Sequence, residues 1–262
     1  MHIVVLTKPV PDPVAAAERL GPDNRLDRAA SPAVVNGNDE YALEAALKLV
    51  DALGGEVSLL TMAPAGGTDT MRKALAMGAA RGVIVTDEVL AGSDTWSTTQ
   101  VLAAALGQLT FDLVLAGVDT SDGVGGVVPA GIAALLRLPY LGNAAKIEPD
   151  PDSGTVRVRR LTTSGYDLLE APMPALVVCT QALGEPRYPS LKGIMAARSK
   201  EIVTRSLADI GLDASAIGGA SALTVVKATK RPPAREATKV VRGTPDEGAA
   251  AIVELLAARK VI

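Results

Sequence analysis

The sequence predicts an α/β protein: a mostly parallel sheet with helices on both faces, plus a β-hairpin and an extended C-terminal arm. Three observations carry this. Short apolar, β-branched runs recur at His2 to Thr7, Val57 to Thr61, Gly82 to Val85 and Leu113 to Ala116, as strands of a covered parallel sheet do. Segments with helical apolar spacing lie between them, such as Tyr41, Leu43, Ala46, Leu47 and Val50. The connections are short and rich in Gly, Pro, Asn and Asp, so the pattern repeats strand–helix units.

The first strand, His2 to Thr7, breaks at Lys8-Pro9-Val10-Pro11-Asp12-Pro13. Three prolines in five positions there are expected to forbid regular structure. Asn36-Gly37-Asn38-Asp39 precedes the first helix, and its Asn and Asp side chains are candidates to cap it; Gly54-Gly55 stops it. After the second strand, Ala63 to Gly67 forms a small-residue loop and Thr68 or Asp69 opens a helix through Met71, Leu75 and Ala76, closed by Gly78. The third strand is followed by a helix over Asp94 to Leu109 that carries the sole tryptophan, Trp96.

The next unit, Phe111 to Leu138, organises the chain. A buried strand from Leu113 to Ala116 runs into a loop of small and polar residues and then into an apolar helix. Gly123, Gly125 and Gly126 allow close backbone approach, and Pro129 suits a first helical turn. Such a turn aims free N–H groups and the positive end of a helix dipole at a phosphate. The loop lacks the Lys–Ser/Thr of a P-loop and the G-x-G-x-x-G spacing, so tight packing remains an alternative reading. Ligands of open α/β sheets sit beyond the carboxyl ends of the strands, where the loops after Thr7, Thr61 and Gly117 converge.

After Pro139 the pattern changes. Val156 to Arg160 and Tyr166 to Glu170 read as an antiparallel hairpin around Leu161-Thr162-Thr163-Ser164-Gly165, and Pro174 to Cys179 as a further buried strand. Gly184 to Gly193 is a proline-bracketed loop ahead of a helix over Ile194 to Lys200. Leu207 to Gly243 lacks periodicity, and Lys227, Lys230, Arg231 and Arg235 flank Pro232-Pro233, as in a solvated arm. A last amphipathic helix, Asp246 to Ala258, presents Ala250, Ile252, Val253 and Leu256 to a surface beyond itself. The expected division is a nucleotide-binding domain at 1–205 and, at 206–262, an arm and helix that pack on a partner subunit.

Composition narrows the function. The chain of 262 residues has a net charge of −3 and only 2% aromatic residues, so it offers no basic field or stacking surface for nucleic acid. The lone cysteine, Cys179, lies in an apolar run and reads as a packed thiol. The only histidine is His2, which argues against Ser–His or Cys–His catalysis and a histidine metal site. No apolar run reaches membrane-spanning length and Met1 leads into a strand, so the expectation is a cytoplasmic protein that is not membrane-embedded.

The segments KPVPD at Lys8, ALAMGAARGVIV at Ala74 to Val85, SDGVGGVVP at Ser121, and above all EPRYPSLKGIMAARSKEI at Glu185 to Ile202 resemble the beta subunits of electron transfer flavoproteins over nearly the whole chain. The resemblance implies an adenine-nucleotide alpha-hydrolase-like fold and a heterodimer whose alpha subunit holds most of the FAD. Such a pair carries electrons from acyl-CoA and related dehydrogenases to a quinone oxidoreductase, without acid–base chemistry or a metal. It also implies a structural AMP, at positions matching Leu6, Asn36, Gly37, Asn38, Asp39, Met62, Gly117, Asp122, Gly123, Val124, Gly125, Gly126, Val127 and Val128. The loop from Glu185 to Gly193 resembles the family's dehydrogenase-docking loop, with Glu185, Arg187 and Tyr188 around the anchor Leu191. The sequence departs from the family pattern at Leu161, Thr163 and Ser164, where acidic residues are usual, and at Pro13, where some members place an aromatic. Two alternatives use the same scaffold: a bifurcating form with a second FAD in place of AMP, whose Thr and Gln are missing from Gly123-Val124-Gly125-Gly126, and an ATP-binding protein.

Overall fold

A computed structural model describes residues 1–15, 19–28, 30–230, 232–234 and 240–262. The chain divides into two compact units, Met1–Lys227 and Ala228–Ile262. In chain order the first contains β1 (His2–Leu6), β2 (Pro9–Pro11), β3 (Ala33–Val35), α1 (Gly37–Leu53), β4 (Glu56–Met62), α2 (Gly67–Met77) and β5 (Arg81–Val85). There follow α3 (Thr95–Leu106), β6 (Leu113–Gly117), α4 (Val128–Leu136), β7 (Tyr140–Asp150), β8 (Thr155–Thr162), β9 (Gly165–Pro172), β10 (Ala175–Cys179), α5 (Leu191–Ala197) and β11 (Ile202–Arg205). The second unit holds α6 (Pro245–Ala258).

The apolar runs form one nine-stranded sheet in the order β11-β5-β4-β1-β6-β10-β7-β8-β9. It is parallel from β11 to β7 and antiparallel through β8 and β9. Strand side chains alternate between faces, and both faces are covered. Ile3 and Val5 join Leu43 and Leu47 of α1 and Met71 and Leu75 of α2 in one apolar cluster. Val4 and Leu6 join Val101 and Leu106 of α3 and Ile132 of α4 in the other. Successive positions of β1, β6 and β10 from Ile3, Leu113 and Ala175 onward are therefore buried on both faces. Strand order reverses at β1, with β4 and β5 on one side and β6 and β10 on the other, so the carboxyl ends of β1 and β6 flank the crevice of a doubly wound sheet.

Four features differ from the sequence reading. The proline run is not irregular: β2 pairs antiparallel with β3 through Val10 and Val34. The bonds from Asn36 N–H to the Lys8 carbonyl and from Asp12 N–H to the Pro32 carbonyl bracket this ribbon. Bonded pairs alternate along such a ladder, so Pro9 and Pro11 fall where no N–H is needed. β7, eleven residues long, went unread because an extra residue near Gly142 and Asn143 shifts its register against β10; Asn143 adopts φ 53° there. This bulge breaks the alternation that would announce a strand. β11 has only four residues and extends the sheet beside β5. The hairpin strands are longer than expected and close through Thr163 and Ser164 alone.

The first unit also extends past 205. Leu207, Ile210 and Ile217 are buried in the α3–α4 cluster, and the Leu223 and Thr224 amides donate to Asp94 at 2.8 and 2.9 Å. Arg231 and Arg235 lie outside the described residues. In α6 a capping box joins Thr244 and Glu247.

β6 meets the start of α1 so closely that Gly117 has no room for a side chain: an added Cβ would lie 2.7 Å from the Asn38 carbonyl carbon and from Asp39 Oδ1. Gly117→Ala is expected to destabilise the fold by about 1–3 kcal/mol, seen as a lower midpoint in urea unfolding with an unchanged slope.

Candidate functional site

The start of α1 organises the crevice. Asn36 is the N-cap residue by position, but its side chain makes no capping bond. It reaches across to the loop after β6, donating from Nδ2 to the Asp119 carbonyl (2.8 Å) and accepting from Ser121 N–H (3.2 Å). Asn38 Nδ2 donates to Asp119 Oδ1 at 2.6 Å. The expected capping role therefore gives way to two side chains that lace the glycine loop onto the helix. Asp39 is 5% exposed and accepts from Lys8 N–H at 2.8 Å. Burial pushes its carboxyl up to about 7, against the opposing pull of the Asn36 side chain, the Lys8 amide and charge, and the Gly117 amide.

Within the loop, the Thr120 carbonyl accepts from both Gly123 and Val124 N–H. Val124 and Gly126 take left-handed φ values of 48° and 62°, and for a β-branched valine this costs about 1–2 kcal/mol. Asp122 points inward: its side chain is 2% exposed and lies 2.7 Å from Lys8 Nζ and 2.8 Å from Arg28 Nη2. Burial disfavours its charge, yet the Lys8 bond and charge, with Thr120 and Arg28, hold the carboxyl below its ordinary value. Asp122 is thus a tether of the loop, and neither cation beside it was singled out from the sequence as part of a site.

Beyond this knot, the N–H groups of Gly125, Gly126, Val127 and Val128 make no hydrogen bond to the described protein. They stand at the N-terminus of α4, with Pro129 in its first turn. Leu6, Met62 and Val128 lie in the same apolar cluster beside them. An anion would find four backbone donors and a helix dipole here, with an apolar floor. On the α1–α2 side, a cavity of about 10 Å³ lined by Thr7, Lys8, Thr61, Thr70 and others could hold one water. The buried Thr61 Oγ1 has no partner among the described residues.

The other end of the sheet holds a pairing the sequence reading discounted: His2 Nε2 lies 2.8 Å from Ser58 Oγ, and Nδ1 is bonded to the Thr110 carbonyl. Ser58 is buried, beyond the reach of a substrate, so the contact pins β1 to β4. Cys179 is buried and burial pushes its thiol up. Among the described residues no cluster of three His, Cys, Asp or Glu could hold a metal, and no helix is long and apolar enough to cross a membrane.

The second candidate surface is the loop ahead of α5. Tyr188 is 95% and Leu191 78% exposed, and Glu185 is exposed beside them. Ser190 caps α5 by accepting from Gly193 N–H at 3.0 Å. Gly193 lies against the Ala76 carbonyl of α2, where no side chain fits. Ile194 and Met195 are also exposed; sequence reasoning missed them, although positions three and four after Leu191 share its helix face. Arg187, expected among the docking residues, instead turns inward to Glu44 and Asp51 of α1.

A family model described as an electron transfer flavoprotein domain matches residues 23–210. The electron transfer flavoprotein subunit beta of Mycobacterium tuberculosis is 40% identical over 267 residues, covering 100% of this chain and 99% of its own. The chain belongs to the electron transfer flavoprotein family. Its counterpart in Thermoanaerobacterium thermosaccharolyticum, also a subunit beta, is 34% identical with full coverage of both chains. Protein FixA of Azorhizobium caulinodans is 38% identical over 245 residues, 90% of this chain and 86% of its own. The chain thus aligns along its whole length with relatives named as subunit beta.

Asp39 gives the site a pH signature. Below about pH 4 both folded and unfolded chains hold its proton; above that the unfolded chain releases it, while the folded chain keeps it until about pH 7. Stability from this group is therefore fully present at low pH and lost as pH rises through 7. Between pH 5 and pH 8 urea unfolding should show a fall of about 2 kcal/mol, most of it absent in Asp39→Asn. Asp94 and Asp122, held below the ordinary range, titrate outside this window.

Proposed function

We propose that the chain is the beta subunit of a heterodimeric electron transfer flavoprotein, a carrier with no acid–base chemistry of its own. In this reading it closes over an FAD held mostly by an alpha subunit and binds AMP. It receives electrons from acyl-CoA and related dehydrogenases and passes them to a quinone oxidoreductase, in the cytoplasm. The bound FAD supplies the redox chemistry; this chain's residues bind, orient and dock.

The observation that carries the AMP assignment is the unpaired row of N–H groups from Gly125 to Val128 at the head of α4. Four backbone donors at the head of a helix suit a phosphate monoester. Asn36, Asn38 and Asp39 hold the loop in place, Asp122 ties it to Lys8 and Arg28, and Leu6 and Met62 provide apolar surface for an adenosine. Because the phosphate contacts in this reading are to backbone, they make no demand on the side chains of Val124 and Val127. The docking assignment rests on the exposed Tyr188 and Leu191. Burying one leucine contributes about 1.5–3 kcal/mol, suited to a carrier that must also let go. Residues 206–262 are proposed to include the arm and helix that pack on the alpha subunit.

Two measurements check this reading. Nucleotides released from the denatured heterodimer should be one FAD and one AMP. Two FAD would establish the bifurcating form instead, and ATP turnover would replace the carrier with an ATP-binding enzyme. In Leu191→Ala, reduction of the flavin by an acyl-CoA dehydrogenase should slow about tenfold at subsaturating donor, with AMP content unchanged; an equal rate removes the docking role.

A further inference from the structure

Glu44 is a buried charged residue of α1. Its side chain is 5% exposed, and charge is seldom buried so far without a dedicated partner. Its main partner is one residue of the docking loop, Arg187. Arg187 donates to Glu44 from its backbone N–H (3.1 Å), from Nε (2.7 Å) and from Nη2 (3.3 Å). Nη2 also donates to Asp51 at 2.9 Å, and Lys48 Nζ stands 3.6 Å from Glu44 Oε1. Glu44, Lys48 and Asp51 lie four and three residues apart, one stripe of α1, so the guanidinium lies along the helix surface. The Glu44 bond, over the opposition of burial and with help from Asp51, holds the guanidinium pKa above its ordinary value.

Among the described residues, every hydrogen bond from 185–189 to the rest of the chain is made by Arg187. The flanking Pro186 and Pro189 have no N–H to contribute. Both the backbone and the side chain of Arg187 meet one carboxylate, which fixes the direction in which the residue leaves the loop. With Arg187 held against α1, its neighbour Tyr188 is left almost fully exposed. Leu191 follows three residues later at the start of α5, itself pressed on α2 by Gly193.

We infer that Glu44 is a positioning residue for electron-donor docking, acting through Arg187 to hold Tyr188 and Leu191 in their presented geometry. This rests on the docking role proposed for the loop. Glu44 touches neither donor nor cofactor; it removes the loop's freedom before encounter, so that less ordering is needed when the donor binds.

The test uses the heterodimer with an acyl-CoA dehydrogenase reduced by its own substrate as donor. Glu44→Gln keeps the shape of the side chain and loses its charge. It should raise KM for the donor about tenfold with kcat at saturation, FAD content and AMP content unchanged. Asp51→Asn, on the exposed arm of the same guanidinium, should raise KM by about twofold and serves if Glu44→Gln fails to fold. Combined with Leu191→Ala, Glu44→Gln should add little to the single Leu191 effect, since both act on one surface. An unchanged KM in Glu44→Gln, or in Asp51→Asn where that variant replaces it, overturns the inference, as does full additivity with Leu191→Ala or a loss of kcat and cofactor in place of the KM change. If Leu191→Ala leaves KM unchanged, the docking reading falls too; if only the Leu191 variant is affected, docking stands and the role of Glu44 does not.

Discussion

The buried carboxyl of Asp39 sits where three segments of chain must meet: the exit of β1 at Lys8, the exit of β6 at Gly117 and the first turn of α1. It takes a hydrogen bond from the Lys8 amide, and Gly117 approaches it so closely that only glycine fits. Asn36 and Asn38 extend the same junction to Asp119 and Ser121. A loop of glycines and valines would otherwise sample many conformations, and ordering it would cost about 1–2 kcal/mol per residue. The polar side chains at the head of α1 meet that cost during folding. The amides from Gly125 to Val128 can then remain without protein partners because the rest of the loop is satisfied from elsewhere.

The same helix serves the loop ahead of α5, for which we propose the docking role. Its first turn holds the glycine loop, while Glu44 and Asp51, further along, hold Arg187. Both surfaces are thus referred to one rigid element, clamped by Leu43, Ala46 and Leu47 to the sheet. Loops that carry function need a scaffold more rigid than themselves. Here the scaffold is an amphipathic helix whose polar positions are used in two places for two ends.

What the sequence made legible follows from where the physics is local. Fully apolar runs such as Leu113 to Ala116 announce buried parallel strands, and Pro129 marks the head of α4. β7 stayed hidden because the bulge at Gly142 and Asn143 puts Leu141 and Ala144 on the same side, destroying the period. The β2–β3 ribbon is hidden by its prolines, because which amides a two-stranded ladder uses is set by β3, further along the chain at Ala33–Val35. Asn36 was read as a cap because its partner, Asp119, lies 83 residues away in the chain. The inward turn of Arg187 depends on Glu44, 143 residues away. Side chains whose partners come from distant segments are visible only once the segments meet.

A carrier constrains its own contacts in a way an enzyme does not. The exposed apolar surface ahead of α5, made of Tyr188, Leu191, Ile194 and Met195, is small. Affinity from such a patch is modest, and among related complexes most variation in affinity appears in the dissociation rate. A larger patch would lengthen the stay on each donor and slow the cycle, and would also be a liability in the free protein. Specificity must then come from geometry more than from area. In the proposed docking role, the bonds from Arg187 to the buried Glu44 would meet that demand by sharpening the presentation of a few side chains without adding surface that a partner must later release.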